Sequence, residues 1–293
     1  MDDAAVFPPG SATVPAAVAE HRQHRASWYS ALVGRLLLPA SSLAEAGSVL
    51  AREAGEAPLE IGIVADVPLD RLDRYVGGVD ARLRVGQIEA PVARRGENPQ
   101  TGLDVLLPLC ARWDSIDVYA EVPLTAGLLA ALDRIAEHRA GGTRIAPKFR
   151  TGGLAAELFP TPMELAAIIC ACHERGLEFK LTAGLHRALR HNDPETGFTH
   201  HGFLNVLAGC LAALDGAEVL DVCEVLAATD PVPVVETLRP RRAEPRRLWI
   251  GFGSCSIAEP LEDLRAFGLI GATTAAGGGA SVAAAGGGPR GSA

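Results

Sequence analysis

Lysine is nearly absent from this chain. Of its 27 basic residues only Lys148 and Lys180 are lysines, and the rest are arginines. Arginine stays protonated at any working pH, whereas a desolvated lysine amine can lose its proton and act as a base or an imine-forming nucleophile. Both lysines end short apolar runs that lead into glycine turns, "RIAPKFRTGG" and "EFKLTAGLH". Where arginine serves every other cationic need, two lysines in matching positions point to chemistry. The alternative is a pair of structural ion pairs.

Other absences narrow the class. Aromatic residues make up only 5% of the chain while hydrophobic residues reach 48%, so the core must be built from Leu, Val, Ala and Ile. That composition suits parallel strands covered by Ala-rich helices. The six cysteines form no CxxC pair and no zinc-type spacing. No apolar run is long enough to span a bilayer. Residues 1–20 lack the basic start and apolar stretch of a secretory leader. A reducing cytoplasm is the expected compartment, and no membrane partner is expected. The net charge of −8 argues against nucleic acid as a partner. The GxGxxG turn of a dinucleotide fold is missing, and no cofactor is called for. A small-molecule substrate is the expected partner, with the oligomeric state left open.

What is present is a repeating unit: a short apolar strand, a proline just past its end, then an amphipathic helix. The strand ends read "RLLLPASS", "IGIVADVPLD", "LRVGQIEAPV" and "IDVYAEVPLT", and their prolines are Pro39, Pro68, Pro91 and Pro123. The two lysine strands follow, and a last strand, "RLWIGFGSCS", lies near 247–253. Strand then helix at this pitch predicts an α/β fold, a (β/α) TIM-like barrel with seven clear strands. A candidate eighth falls within 203–240, which otherwise reads as helix. The barrel is expected over 21–270, after a flexible segment 1–20 and before a disordered Gly/Ala-rich tail, 271–293.

Asp66, Glu89 and Glu121 each stand two residues before one of those prolines, so they are expected at one layer. Alternate strand residues share a face. In a barrel the polar face points inward near the C-terminal mouth. Asp66, Gln87, Glu89, Glu121, Lys148, Arg150, Lys180 and Thr182 are therefore expected to converge, either as a site or as an ion-pair network that fills the interior. Turns at Thr151-Gly152-Gly153, Thr182-Ala183-Gly184 and Gly251–Ser256 offer backbone N–H groups to an anion, the last one ahead of a helix N-terminus. His186, His191, His200 and His201 crowd a loop expected near the mouth. They could supply a general acid, with His186 the first choice, or metal ligands together with Asp66, Glu89 or Glu121.

Residues of about 116–186 resemble the central part of 2-deoxyribose-5-phosphate aldolase and related class I aldolase barrels. Lys148-Phe149-Arg150-Thr151-Gly152 is similar to the family's K-T-S-T-G strand end. Thr161-Pro162-Met163-Glu164 resembles its next helix start, and Lys180-Leu181-Thr182-Ala183-Gly184-Leu185-His186 its second lysine strand, with His186 in place of the final arginine. The resemblance implies a Schiff base on Lys148, with Lys180 as its electrostatic partner. It also implies a phosphate cup including Gly253, Ser254 and Ser256. Gln87 stands where the family carries its catalytic aspartate, so Glu89 or Glu121 would move the proton. The phrases "FKLTAGLH" and "HGFLNVL" also resemble a group of uncharacterised bacterial proteins.

The leading expectation is thus a lyase acting on a small anionic, phosphorylated or similar, carbonyl compound through a lysine imine. The competing expectations are a metal-dependent lyase or hydrolase, and a barrel that binds a metabolite without turning it over.

Overall fold

The computed structural model describes residues 1–52 and 57–271. Its eight barrel strands are β1 (Asp2–Asp3), β2 (Leu36–Pro39), β3 (Leu59–Val64), β4 (Leu83–Pro91), β5 (Asp117–Glu121), β6 (Ile145–Arg150), β7 (Phe179–Thr182) and β10 (Trp249–Ser254). All pair in parallel and close in the order β1-β10-β7-β6-β5-β4-β3-β2. A small antiparallel hairpin, β8 (His191–Asn192) with β9 (Thr199–His200), stands apart from the barrel.

Helices follow the strands in turn: α1 (Val14–Ala26), α2 (Leu43–Leu50), α3 (Leu69–Gly77), α4 (Pro99–Cys110), α5 (Leu128–Ala140) and α6 (Pro162–Glu174). After β7 come α7 (Phe203–Leu214), α8 (Val219–Ala227) and α9 (Pro231–Leu238), and α10 (Ala258–Ala266) follows β10. The expected TIM-like barrel is present, and its eighth strand is the chain's first. Residues 1–20 supply β1 and the first half of α1 rather than a flexible lead-in. Residues 203–240, the expected place of a candidate eighth strand, hold α7, α8 and α9. The expected tail lies almost wholly outside the described residues. Among the described residues no helix is long and apolar enough to cross a membrane.

Helix starts are written locally. Thr13 caps α1, Asn98 caps α4 and Asp230 caps α9, each ahead of a proline in the first helical positions. Thr161 and Glu164 form a reciprocal capping box on α6, which fixes that helix directly after the Lys148 strand.

The apolar core lies between strands and helices. Ile61, Ile63, Ile88, Val118, Ala120, Ile145, Phe149, Phe179 and Leu181 are buried there against helix residues such as Leu106, Leu132 and Ile169. The inner face is different: Gln87, Glu89, Lys148 and Lys180 are all buried inside the barrel. Two glycines make the space. The β3–β4 ladder slips between Ile61 and Gly62, so β4 carries one extra residue, Gly86. A Cβ on Gly62 would fall 2.5 Å from Gln87 Cγ, and one on Gly86 2.4 Å from Arg35 Nε. The missing side chains admit these longer polar ones.

Candidate functional site in the barrel interior

Strand register sets the two lysines side by side. Glu121 on β5 pairs with Lys148 on β6, which pairs with Lys180 on β7. Lys148 Nζ lies 2.6 Å from Glu89 Oε2 and 2.8 Å from Glu121 Oε2. Lys180 Nζ lies 2.5 Å from Glu89 Oε1 and donates a second, short hydrogen bond to Asp2 Oδ2. It also stands 4.9 Å from the centre of the Tyr119 ring. Gln87 Nε2 donates to Asp2 Oδ2 at 2.9 Å and to Glu89 Oε1 at 3.1 Å, while its carbonyl oxygen accepts from Arg35 at 3.2 Å. Arg150 closes the array above: its Nε and Nη2 both lie 3.1 Å from Glu121 Oε1.

Two lysines and Arg150 therefore face Glu89, Glu121 and Asp2, and their charges cancel. Burial by itself would raise all three carboxyls, but the adjacent cations overturn it. Lys148 and Lys180 hold Glu89 below its ordinary range, and Lys180 does the same to Asp2. Lys148 and Arg150 take Glu121 down to about 2. Burial would likewise lower both lysines, yet Glu121 and Glu89 raise Lys148, and Asp2 and Glu89 raise Lys180. At rest both amines are ammonium ions. Each lysine is only 2% exposed, whereas the Arg150 side chain is 42% exposed at the mouth.

Of the residues expected to converge, Gln87, Glu89, Glu121, Lys148, Arg150 and Lys180 do so. Thr182 ends β7 on the inner side, its Oγ1 3.8 Å from where a Cβ on Gly253 would sit. Asp66 stays outside: it is exposed and accepts from the Ser41 backbone N–H at 3.0 Å and from the Ser41 hydroxyl. β3 ends at Val64, whose ladder partner is Glu89, so Asp66 lies past the strand.

In the expected anion turns the side-chain hydroxyls already have partners. Thr151 is buried and its hydroxyl donates to Thr182 O at 3.2 Å and Ala183 O at 2.5 Å. Gly152 packs on Gly184, which has φ +77°, and a Cβ on Gly152 would sit 2.9 Å from Gly184 Cα. Ser254 Oγ donates to Ser256 O at 2.6 Å, and Ser256 Oγ accepts from Glu259 N at 3.2 Å. The Thr151 hydroxyl is engaged by the neighbouring β7 turn, and the two serine hydroxyls by their own.

The histidines have other partners. His186 Nδ1 is 3.2 Å from Glu259 Oε2. His191 and His200 stack in the hairpin, whose His200 Nδ1 lies 3.2 Å from Gly184 O. His201 is buried with Nε2 2.7 Å from Pro160 O, and burial takes its pKa down to about 4. Among the described residues no three His, Cys, Asp or Glu side chains converge as metal ligands.

Sequence reasoning missed Asp2 and Arg35. It also did not foresee a cavity of about 550 Å³ at the N-terminal ends of β5–β7, lined by residues including Asp117, Tyr119, Arg139, Arg144 and Glu178. Arg35 and Arg144 both pair with Asp117 there, closing the barrel floor with charge. No protein-family model, curated protein or solved structure matches this chain.

Proposed function

We propose that the protein is a (β/α)-barrel lyase of the class I aldolase kind, acting on a small anionic carbonyl compound through an imine on Lys148. The observation that carries this reading is the placement of Lys148 Nζ between Glu89 and Glu121, with Lys180 opposite it on the neighbouring strand. The resemblance of the two lysine strands to 2-deoxyribose-5-phosphate aldolase supports it.

Because the resting amine is protonated, substrate has to release it. Arg150 is the exposed end of the array, and it is one of two cations that hold Glu121 ionised. A substrate phosphate or carboxylate that draws Arg150 away raises the proton affinity of Glu121. Glu121 then takes a proton from Lys148 across 2.8 Å. The freed amine adds to the carbonyl carbon. The oxygen leaves as water, carrying one proton from the amine and one returned by Glu121, and a protonated imine remains. Lys180 stays cationic beside Glu89 and favours deprotonation of Lys148 over its own.

Borohydride trapping with a panel of small aldehydes, ketones and sugar phosphates tests the reading. A stable adduct on Lys148, absent from Lys148→Arg, is the expected result. A folded protein that gives no adduct across the panel overturns it.

A second reading is a metabolite-binding barrel without turnover. Both ammonium ions are held by two carboxylates each, which favours it. It predicts thermal stabilisation by the same anions with no trapping at either lysine.

A further inference from the structure

Six cysteines are spread through the chain, and Cys110, Cys170, Cys172 and Cys210 are buried thiols. Burial pushes Cys110 up to about 12 and raises the other three. Cys223 and Cys255 are partly exposed, and Cys255 has chemically active neighbours. It follows the last residue of β10, at the C-terminal end of the barrel. Its sulfur is nearly equidistant from both ring nitrogens of His186, 3.6 Å from Nδ1 and 3.8 Å from Nε2. Nδ1 is 3.2 Å from Glu259 Oε2 in the first turn of α10, which leaves Nε2 as the free basic nitrogen.

Three elements thus bring together a thiol, an imidazole and a carboxylate that orients the imidazole. That is the logic of an activated nucleophile, in which a base takes the proton and a third group fixes the base. We propose that Cys255 is a second nucleophilic site, a thiol that exchanges with small disulfides, with His186 as its base and Glu259 as the positioning residue. The sulfur now meets the ring between its two nitrogens, and a turn of the imidazole that points Nε2 at it lets Nε2 take the thiol proton. The sulfur attacks one sulfur of the disulfide, a new S–S bond forms as the old one breaks, and the leaving thiolate takes the proton back from the imidazolium. The exchange needs no further oxidant. An adduct on Cys255 would stand at the mouth above β7 and β10.

The electrostatic setting requires a base. Burial, Glu259 and Asp3 all raise Cys255, and only backbone hydrogen bonds, from Gly10 and within Cys255 itself, oppose them. His186 is held below 6.5, first by burial and then by His200 and His191 of the hairpin, with Glu259 opposing. It is therefore a neutral acceptor at pH 7. Arg187, at 4.0 Å from Glu259 Oε1, is the nearby cation.

The test is reaction of the native full chain with 4,4′-dithiodipyridine, an uncharged disulfide, followed by peptide mapping. The first equivalent is expected on Cys255, at a rate that rises through the imidazole ionisation below pH 6.5. In His186→Gln the rate at pH 7 should fall by about 100-fold, the low end of general-base effects. Glu259→Gln should fall less and shift the profile to lower pH, since the imidazolium loses its counter-ion. Circular dichroism confirms that each variant is folded. Two results overturn the proposal: a first equivalent on Cys223, or a folded His186→Gln that reacts at the wild-type rate. If both variants prove unfolded, a wild-type profile that follows thiol ionisation alone, above pH 8, also overturns it.

Discussion

Lys148 and Lys180 pair across neighbouring strands, and one carboxylate serves both: Glu89 turns Oε2 to the first amine at 2.6 Å and Oε1 to the second at 2.5 Å. Without that carboxylate two ammonium ions would face each other in a buried space. Removing one partner of a buried ion pair costs far more than the pair's net contribution, because an uncompensated charge is left behind.

Glu89→Gln should therefore destabilise the fold by about 3–5 kcal/mol, the usual range for breaking a buried pair. Urea unfolding followed by circular dichroism reads this directly. A change under about 1 kcal/mol would mean that water reaches the lysines, in the range of solvent-exposed pairs.

The pH dependence of stability follows from the same array. Glu121 is held at about 2 against an ordinary 4.5, so its contribution is complete above 4.5 and is lost as pH falls toward 2. Glu89 and Asp2 shift in the same direction. Lys148 and Lys180 are raised above 10.5, so their contribution is complete below that value and lost as pH rises past it. Urea midpoints should be flat with respect to these groups from about pH 5 to 10 and fall on the acid side. Glu121→Gln should flatten part of that acid limb.

Much of this array could be read from the chain because period-two alternation is reliable inside a strand. Lys148 with Arg150, Lys180 with Thr182, and Glu121 with Tyr119 share their inner face for that reason. Asp66 fails because a proline two residues ahead does not fix strand register. Pro91 is the last residue of β4, whereas Pro68 lies beyond β3 and precedes α3. Asp2 was invisible because its strand has only two residues, too short for any periodicity. Its place comes from long-range pairing with Gly253, opposite Thr182. His186 is expected in a loop near the mouth, as a general acid or metal ligand, and its partners Cys255 and Glu259 come from β10's turn and α10, which no local pattern encodes.

Thr151→Val tests the assignment of the lysine turns to closure rather than binding. The hydroxyl is hydrogen-bonded to Thr182 O and Ala183 O, and a valine leaves those carbonyls without it. The expected loss is about 1–3 kcal/mol of stability. Affinity for phosphate compounds should stay unchanged, as isothermal calorimetry can show. A selective loss of phosphate affinity at unchanged stability would return Thr151 to the binding surface.

Arg150 separates the imine reading from a purely structural array. Its side chain is 42% exposed and its partner Glu121 is 15% exposed, so this is the solvent-side end of the network. As a structural ion pair near solvent, Arg150→Gln should cost under about 1 kcal/mol. As the group that receives a substrate anion and unlatches Glu121, its loss should act on chemistry. Substrate affinity should fall by about 10-fold or more, in keeping with a charged hydrogen bond of 1.5–3 kcal/mol. At the same time Glu121 loses a cation that lowers it, so its carboxyl rises from about 2. Trapping at Lys148 by a neutral aldehyde should then become faster in Arg150→Gln while trapping by a phosphorylated one becomes slower. Such an inversion between neutral and anionic compounds has no counterpart if the array only fills the barrel, and equal trapping of both in wild type and variant would remove Arg150 from the mechanism.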